Sequence, residues 1–529
     1  MPHAVMQSFM KYPPLWLLLF ALALRLLVIG IFGLDGLYGQ DAFAYFDCAG
    51  QLLHGHPGQM PCHDFYWPLG YPALAAMFML ATGAAVRAAQ LASVLAGAAI
   101  APLTYWLVME SDLAAIAGLQ QRNSALAAGL IAALCGALLI ASIVVMSDAA
   151  GLFWATLAAC LLLRWGHRAN DHQPPRQWLL LAAAAALGLA IVTRWIYAGL
   201  LPSFVAFAVI ARHRGGREAI PLWSRLAPLL AAAGVVLLMV LPQIYITQHS
   251  DAPLVTHGWL TDWSLGNAVR SSFDNPEGHF DFRLPPIIFY AEPLFHPLFL
   301  FPLLTGFVFY GAWQLRRSPV LVLLGGWLGT LGLYLIGIPQ ENARFGLAMF
   351  TPIAVLAGVG ICCFTVRVRR RPRAHGAGGV GGRSAPWAWG QPPIHWLLLT
   401  ASLAMALPFT WRAFSRLHGV VASQMADIRY LQSQVPGDAT VVTFELSPAL
   451  GYYTRLNVVD LFEQSPQSLR SALCRDGDAY VYVDVGKIES QWRARSPAQN
   501  FRWLREQIGL QPSGAHGSWS LYRVQHCPQ

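Results

Sequence analysis

The chain has 529 residues, of which 56% are hydrophobic and only 12% charged, with a net charge of +9. A soluble domain carries about 25% charged residues, so the composition excludes an ordinary soluble enzyme and points to a polytopic membrane protein. The positive charge is almost entirely arginine, Lys11 and Lys487 being the only lysines. Its distribution between loops follows the positive-inside rule rather than a nucleic-acid footprint.

The first apolar run, Leu15 to Phe32, follows Lys11 and ends in Gly33-Leu34-Asp35. It is long enough to cross a membrane and lacks the short core and small-residue cleavage site of a secretory signal. It therefore reads as an uncleaved anchor with its N-terminus inside. Arg25 lies within it, and the structural reading is an arginine that faces the bundle and is paired or snorkels.

Residues 34–86 form the first outer region, with Asp35, Asp41, Asp47 and Asp64 and no Lys or Arg. The stretch Tyr38 to Ala49 reads as a short helix on which Asp41, Tyr45 and Cys48 share a face while Asp47 points elsewhere. A carboxylate at the end of a span needs water, a partner or a substrate. Asp41 is thus a candidate acid or base, a helix cap, or both. His54, His56, His63 and Asp64 could hold a divalent metal, although their spacing matches no standard zinc pattern. The aromatic and proline run Tyr66 to Leu74, which includes Tyr71, reads as a loop fixed at the interface, with rings that could line a sugar site.

Further spans are expected near 88–109, 125–146, 149–165, 177–193, 196–211, 226–247, 294–315, 319–337, 346–366 and 393–411, about eleven in all. Alternate connections carry Arg122; Arg164, Arg168 and Arg176; Arg212, Arg214, Arg217 and Arg225; Arg316 and Arg317; and the cluster Arg367 to Arg383. The other set carries Arg194, Arg270, Arg283 and Arg344. This asymmetry puts the N-terminus inside, and the first region, the 248–293 loop and the C-terminus outside. The Gly-, Pro- and Arg-rich segment within 367–392 follows no strand and opens no helix, so it reads as a cytoplasmic linker rather than a phosphate-binding loop.

Residues 1–411 are therefore expected to form the membrane module and 412–529 a small α/β domain outside the membrane. That domain has helices near 423–434, 466–474 and 488–508 and strands near 440–444, 479–485 and 518–524. An oxidising exterior allows two disulfides, Cys48–Cys62 and Cys474–Cys527, while the four cysteines inside spans read as packing residues.

Three more charged groups lie at outer span ends: Asp148 after Ser147, Arg194 after Thr193, and Arg344 in the run Pro339-Gln340-Glu341-Asn342-Ala343-Arg344. Acids and arginines from distant segments converge at one depth, and a planar guanidinium suits a phosphate. Together they predict an outward-facing polar cavity that handles a phosphate. There is no Walker loop or dinucleotide fingerprint.

In order along the chain, these motifs resemble those of the GT-C superfamily of polyprenyl-phosphate-sugar-dependent glycosyltransferases. The branch that looks most similar contains the bacterial relatives of protein O-mannosyltransferases and of the lipid A aminoarabinose transferase. The residues that carry the resemblance are Asp41-Ala42-Phe43-Ala44-Tyr45 through Ala49, Pro68-Leu69-Gly70-Tyr71-Pro72 with Gln90, Ser147-Asp148, Thr193-Arg194, and Arg344-Phe345 with Pro352. Many members have Asp-Glu where this chain has Asp41-Ala42. The resemblance implies an inverting transfer of a sugar from a polyprenyl-phosphate donor to a hydroxyl on a protein, lipid or glycan. Asp41 would be the general base, and Arg194 and Arg344 would stabilise the departing phosphate. Asp148 would orient the acceptor or an arginine, with Tyr45, Asp47, Tyr71 and Glu341 as further substrate contacts. It also implies the inner membrane of a bacterium, with a periplasmic C-terminal domain. A lipid-sugar transporter, a polysaccharide polymerase or ligase, and a non-catalytic assembly partner are the competing readings. The absence of an inverted repeat speaks against the transporter, and an acid directly after the first span speaks against the polymerase or ligase.

Overall fold

The structure, a computed structural model, describes residues 12–55, 62, 65, 67–83, 85–111, 118–170, 176–214, 222–249, 262–275, 277–370, 394–462, 464–474 and 478–525. The expected linker core at 371–393 lies outside them, as do His56, His63, Asp64 and Cys527.

Helix α1 (Pro13–Phe32) starts on prolines whose fixed φ suits a first turn and stops at Gly33 in the left-handed region. The outer region then forms α2 (Gly39–His54) and α3 (Gly70–Thr82). Next come α4 (Val86–Met109), α5 (Gly118–Leu134), α6 (Gly136–Ile143), α7 (Ser147–Asn170), α8 (Gln177–Thr193), α9 (Leu201–Arg214) and α10 (Leu222–Gln248). A β-hairpin, β1 (Ser272–Asn275) and β2 (Gly278–Asp281), lies in the second outer loop. Helices α11 (Pro302–Gln314), α12 (Val320–Gly337), α13 (Phe350–Arg370) and the 41-residue α14 (Ile394–Gln434) complete the helical part.

Among the described residues, eight helices are long and apolar enough to cross a membrane, or nine if α5 and α6 form one bent span. Two shorter apolar helices, α3 and α8, accompany them. Four features differ from the sequence reading. The run read as a loop up to Leu74 turns helical at Gly70, where α3 begins, and that apolar helix leaves Met77 and Leu80 uncovered. The run 125–146 is not straight; it bends by 54° at Cys135, where the Ala137 amide leaves the helix ladder and donates to the Leu298 carbonyl (2.9 Å). The last span and the helix near 423–434 are one rod, which runs through Pro408 and Gly419 and buries Phe414 and Leu417 along its length. Arg25 is fully buried and donates to the Ala21 carbonyl (2.9 Å), with no carboxylate partner among the described residues. It neither snorkels nor forms an ion pair.

Close helix packing rests on small residues. A Cβ on Gly311 or Gly360 would collide with backbone of the facing helix, at Leu356 and Phe307 respectively, so α11 and α13 touch backbone to backbone. By contrast α10 buries little of its surface and presents Leu230, Leu237, Leu238 and Leu241 outward, as a lipid-facing helix does.

The C-terminal part adds β3 (Thr440–Thr443), α15 (Ser447–Tyr453), β4 (Asn457–Asp460), α16 (Pro466–Leu473), β5 (Ala479–Asp484), α17 (Ser496–Trp503), β6 (Leu510–His516) and β7 (Trp519–Val524). The sheet order is β4-β3-β5-β7-β6. β3 pairs in parallel with β4 and β5, as crossovers through α15 and α16 require, while β5, β7 and β6 are antiparallel. The domain docks on the outer region: the Tyr453 hydroxyl donates to Asp35 (2.6 Å) and the rings of Tyr452 and Tyr453 lie about 6.0 Å from Phe43.

Candidate active site

Two acids begin two helices. Asp41 is the third residue of α2, whose N-cap is Tyr38. Asp41 therefore does not cap the helix; its carboxylate sits in the first turn, where the helix dipole favours negative charge. Asp148 is the second residue of α7, in the same electrostatic position. The link between them runs through the residues just before each helix. Gly36, with φ +98°, turns the chain so that its carbonyl accepts the Val145 amide (2.9 Å), and a Cβ there would meet Gln90. Gln90 in turn donates to the carbonyls of Leu34 (3.3 Å) and Ile143 (2.7 Å). The strand-like break before α7 is thus sewn to the end of α1, which brings the two acid-bearing helix starts together.

The arginines come from chain reversals. Arg194 is an extended residue (φ −152°) between α8 and the short 3-10 turn Trp195–Leu200. Arg344 opens a short turn, Ala343–Gly346, capped by the Asn342 side chain, which accepts from the Arg344 amide (3.1 Å). In α3, Gly70 abuts this region, for a Cβ there would lie 2.5 Å from the Val192 carbonyl oxygen. The Pro-Leu-Gly-Tyr-Pro run therefore seats the Thr193-Arg194 corner.

All four side chains meet. Arg344 Nη1 donates to Asp41 Oδ2 (2.8 Å), and its Nε and Nη2 both reach Asp148 Oδ2 (3.3 and 3.2 Å). Arg194 Nη1 pairs with the other Asp148 oxygen. The Arg194 guanidinium also lies 5.2 Å from the centre of the Phe345 ring. Asp148 is 1% exposed, while Asp41 and Arg344 are 27% and 33% exposed and open to the cavity. The order is half-buried acid, arginine, buried acid, arginine, a formally neutral row with one accessible end.

The cavity holds about 360 Å³. Its polar side is Asp41, Arg194, Glu277, Gln340, Asn342 and Arg344; its apolar side includes Trp67, Trp195, Tyr334 and Ile338. Tyr45 lines it and bonds to Ser147 Oγ (2.8 Å), in an aromatic cluster with Phe65, Trp67 and Tyr71. Burial pushes the Tyr45 phenol up to about 12, against the pull of Arg194, so it stays a neutral hydrogen-bonding group.

Three expected contacts lie elsewhere. Asp47 is exposed on a different face of α2 and accepts from Gln51 (2.7 Å), because six residues from Asp41 is about one and two-thirds turns. Tyr71 is fully buried and bonded to Ser93 (2.6 Å), so it supports Tyr45 from behind instead of reaching the cavity. Glu341 does not line the cavity; burial, with Glu292 nearby, pushes its carboxyl up to about 7. Cys48 and Cys62 are disulfide-bonded with Cα atoms 5.1 Å apart, which ties down the end of α2. The expected Cys474–Cys527 bond falls outside the described residues at Cys527. Of the metal candidates only His54 is described, and no cluster of three or more His, Cys, Asp or Glu side chains occurs among the described residues. Glu277 was missed from the sequence, since one acid in a polar outer loop carries no positional signal.

The fold around this row is one shared with solved membrane proteins, as the ordered motifs led us to expect. Residues 77–249, which include Asp148 and Arg194 but not Asp41 or Arg344, match the family model described as dolichyl-phosphate-mannose-protein mannosyltransferase. The chain is similar to ArnT from Cupriavidus metallidurans bound to undecaprenyl phosphate, with a TM-score of 0.64 at 14% identity, covering 96% of this chain and 98% of that one. It is also similar to the archaeal oligosaccharyltransferase AglB from Archaeoglobus fulgidus in complex with an inhibitory peptide and a dolichol-phosphate, with a TM-score of 0.57 at 13% identity, covering 98% of this chain and 75% of that one. No curated protein matches the sequence.

Proposed function

We propose that this chain transfers a sugar from a polyprenyl-phosphate donor to an acceptor hydroxyl, with inversion, at the outer face of a bacterial inner membrane. In this reading residues 1–411 are the catalytic module and 412–529 a periplasmic domain. The observation that carries it is Arg344 bridging Asp41 and Asp148 beside a cavity with one apolar wall and one polar, charged wall. ArnT binds undecaprenyl phosphate and AglB a dolichol-phosphate in structures of similar fold, and the apolar wall at Trp67, Trp195, Tyr334 and Ile338 suits the first isoprene units of such a lipid.

Asp41 takes the proton of the attacking hydroxyl as the new bond to the anomeric carbon forms. The bond from that carbon to the phosphate oxygen breaks, and its electron pair leaves with the lipid phosphate. The protonation of Asp41 removes the charge that Arg344 was neutralising. The guanidinium is then released toward the phosphate as the phosphate gains charge, a timing that favours the transition state over the ground state. Asp148, buried and shared by both arginines, holds them in place and does not touch the substrate.

The test is transfer from a synthetic polyprenyl-phosphate sugar to membrane-extract acceptors by purified protein, with wild type against Asp41→Asn. Turnover by wild type and its loss in a folded Asp41→Asn supports the reading, and the product names sugar and acceptor. Equal turnover by both removes Asp41 as the base, and binding without turnover on any acceptor removes the transferase.

A further inference from the structure

We infer that Glu277 is a further acid of this cavity that contacts the acceptor beside Asp41, and that the C-terminal domain holds it there through Gln491. The inference rests on the transferase reading above and adds a residue and a domain to it.

The β1–β2 hairpin would ordinarily carry a tip acid into solvent. Here the tip is gripped from both sides. On the inner side, Glu277 Oε2 accepts from Gln340 Nε2 (3.2 Å), Gln340 Oε1 accepts from Asn275 Nδ2 (3.1 Å), and the Glu277 amide returns to Asn275 Oδ1 (2.8 Å). Asn275 and Gln340 are both buried, and Asn275 Nδ2 is anchored further on the Pro339 carbonyl (3.0 Å). The Gln340 carbonyl accepts from the Tyr290 hydroxyl (2.8 Å), which itself accepts the Asn342 amide (3.2 Å), and Asn342 caps the turn that presents Arg344. Glu277 and Arg344 are therefore the two ends of one hydrogen-bonded chain.

On the outer side, Gln491 Nε2 donates to the Glu277 carbonyl (2.9 Å) and the Gln491 carbonyl accepts the His279 amide (2.7 Å). Gly278, at φ +111°, lies so close that a Cβ would sit 2.6 Å from the same carbonyl oxygen. Only glycine allows this clamp. A hairpin tip pinned by a separate domain and aimed into the cavity positions a side chain to within a narrow range, as a working site requires.

The charged groups that face Glu277 are Asp41 and Arg344; Gln340, Asn275 and Gln491 are neutral. Burial first, and then Asp41, push its carboxyl up to about 7 against the pull of Arg344. Near neutrality its carboxyl is thus able to donate a hydrogen bond beside Asp41. An acceptor whose attacking hydroxyl faces Asp41 receives a second hydrogen bond from Glu277 on its adjoining oxygen. No proton is consumed in that contact.

The experiment is steady-state transfer, with the polyprenyl-phosphate sugar and the acceptor fraction identified in the transfer assay varied separately. Wild type is compared with Glu277→Ala, Glu277→Gln and Gln491→Ala. Glu277→Ala should raise the acceptor KM about tenfold or more, the loss of one strong contact, while the donor KM moves less than about twofold. Glu277→Gln still donates, so its acceptor KM should stay within about threefold and the fall in wild-type activity above about pH 7 should disappear. Gln491→Ala should raise the acceptor KM in the same sense but less. The inference is overturned if a folded Glu277→Ala leaves the acceptor KM unchanged, if the donor KM rises equally, or if Glu277→Gln keeps the wild-type pH profile. Those results leave wild-type transfer intact and so refute only the role of Glu277. A wild type without transfer refutes the transferase reading and this inference with it.

Discussion

Replacing Arg344 with lysine isolates the geometry of the site from its charge. Arg344 makes three contacts at once, one to Asp41 at 2.8 Å and two to Asp148 at 3.3 and 3.2 Å. An ammonium is a single point of charge and can keep one of the two carboxylates, not both. At least two charge-assisted hydrogen bonds are lost, each worth about 1.5 kcal/mol at the lower end of the range. The expected cost to the transition state is therefore about 3 kcal/mol, or roughly a hundredfold in kcat. Loss of the Asp41 contact should move stability little, because Asp41 and Arg344 are 27% and 33% exposed and solvent screens their attraction, and the ammonium still supplies a positive charge to buried Asp148. The assay is single-turnover transfer of a labelled sugar from the polyprenyl-phosphate donor, with thermal unfolding in detergent as the control. An Arg344→Lys protein that turns over within about threefold of wild type would refute the bridging argument, because charge without the fork would then suffice.

Four further outcomes are expected. Asp148→Asn leaves Arg194 and Arg344 side by side without their shared buried counter-charge, so it should destabilise the fold by about 3 kcal/mol; an unchanged melting temperature would remove Asp148 from its holding role. Opening the Cys48–Cys62 bond, which closes a loop with a sequence separation of 14, should cost about 3 kcal/mol by loop entropy, read as a lower melting temperature in reductant or in Cys48→Ser/Cys62→Ser. Gly70→Ala forces its new Cβ against the backbone at Val192 and Thr193 and should cost about 1–3 kcal/mol, with a fall in kcat as Arg194 is displaced; full activity would show that this corner is not what seats Arg194. The Glu277 carboxyl is raised from 4.5 when unfolded to about 7 when folded. The folded state then binds more protons between those values, so Glu277 contributes least to stability above pH 7. Glu277→Gln should melt above wild type at pH 8 and lose that advantage below about pH 4.5; identical melting curves across that range would contradict the burial of the charge.

The parts of the molecule readable in one dimension are those set by local composition. Apolar runs of membrane length have one stable solution, a helix that satisfies its own backbone, and so α1, α4, α7, α10, α12 and α13 were legible. Runs rich in β-branched and aromatic residues likewise located β3, β5 and β7. Strand β6 (Leu510–His516) was not legible, because its residues are mostly exposed and it exists only by pairing with β7. The expected helix over 488–508 is interrupted by turns around 491–495, where the chain reaches back to the hairpin through Gln491.

The same division runs through the site. Asp41, Asp148, Arg194 and Arg344 stood out in the sequence because charge at the end of an apolar span is costly and therefore conspicuous. Tyr71 stood out just as strongly, yet it is buried behind Tyr45, and nothing in a linear motif tells a ring that lines a cavity from one that props it. Glu277 was silent because a carboxylate in a polar loop costs nothing until the fold removes its water. The sequence by itself determined which segments are apolar enough to cross a membrane and which charges stand at their ends, since both follow from the transfer free energy of each residue. Only the tertiary structure decided that one guanidinium joins two acids 107 residues apart, and that a separate domain presses a third acid into their cavity. Those are long-range contacts, set by the turn at Gly36 against Val145 and the docking of Gln491 on the hairpin, neither of which depends on its sequence neighbours alone.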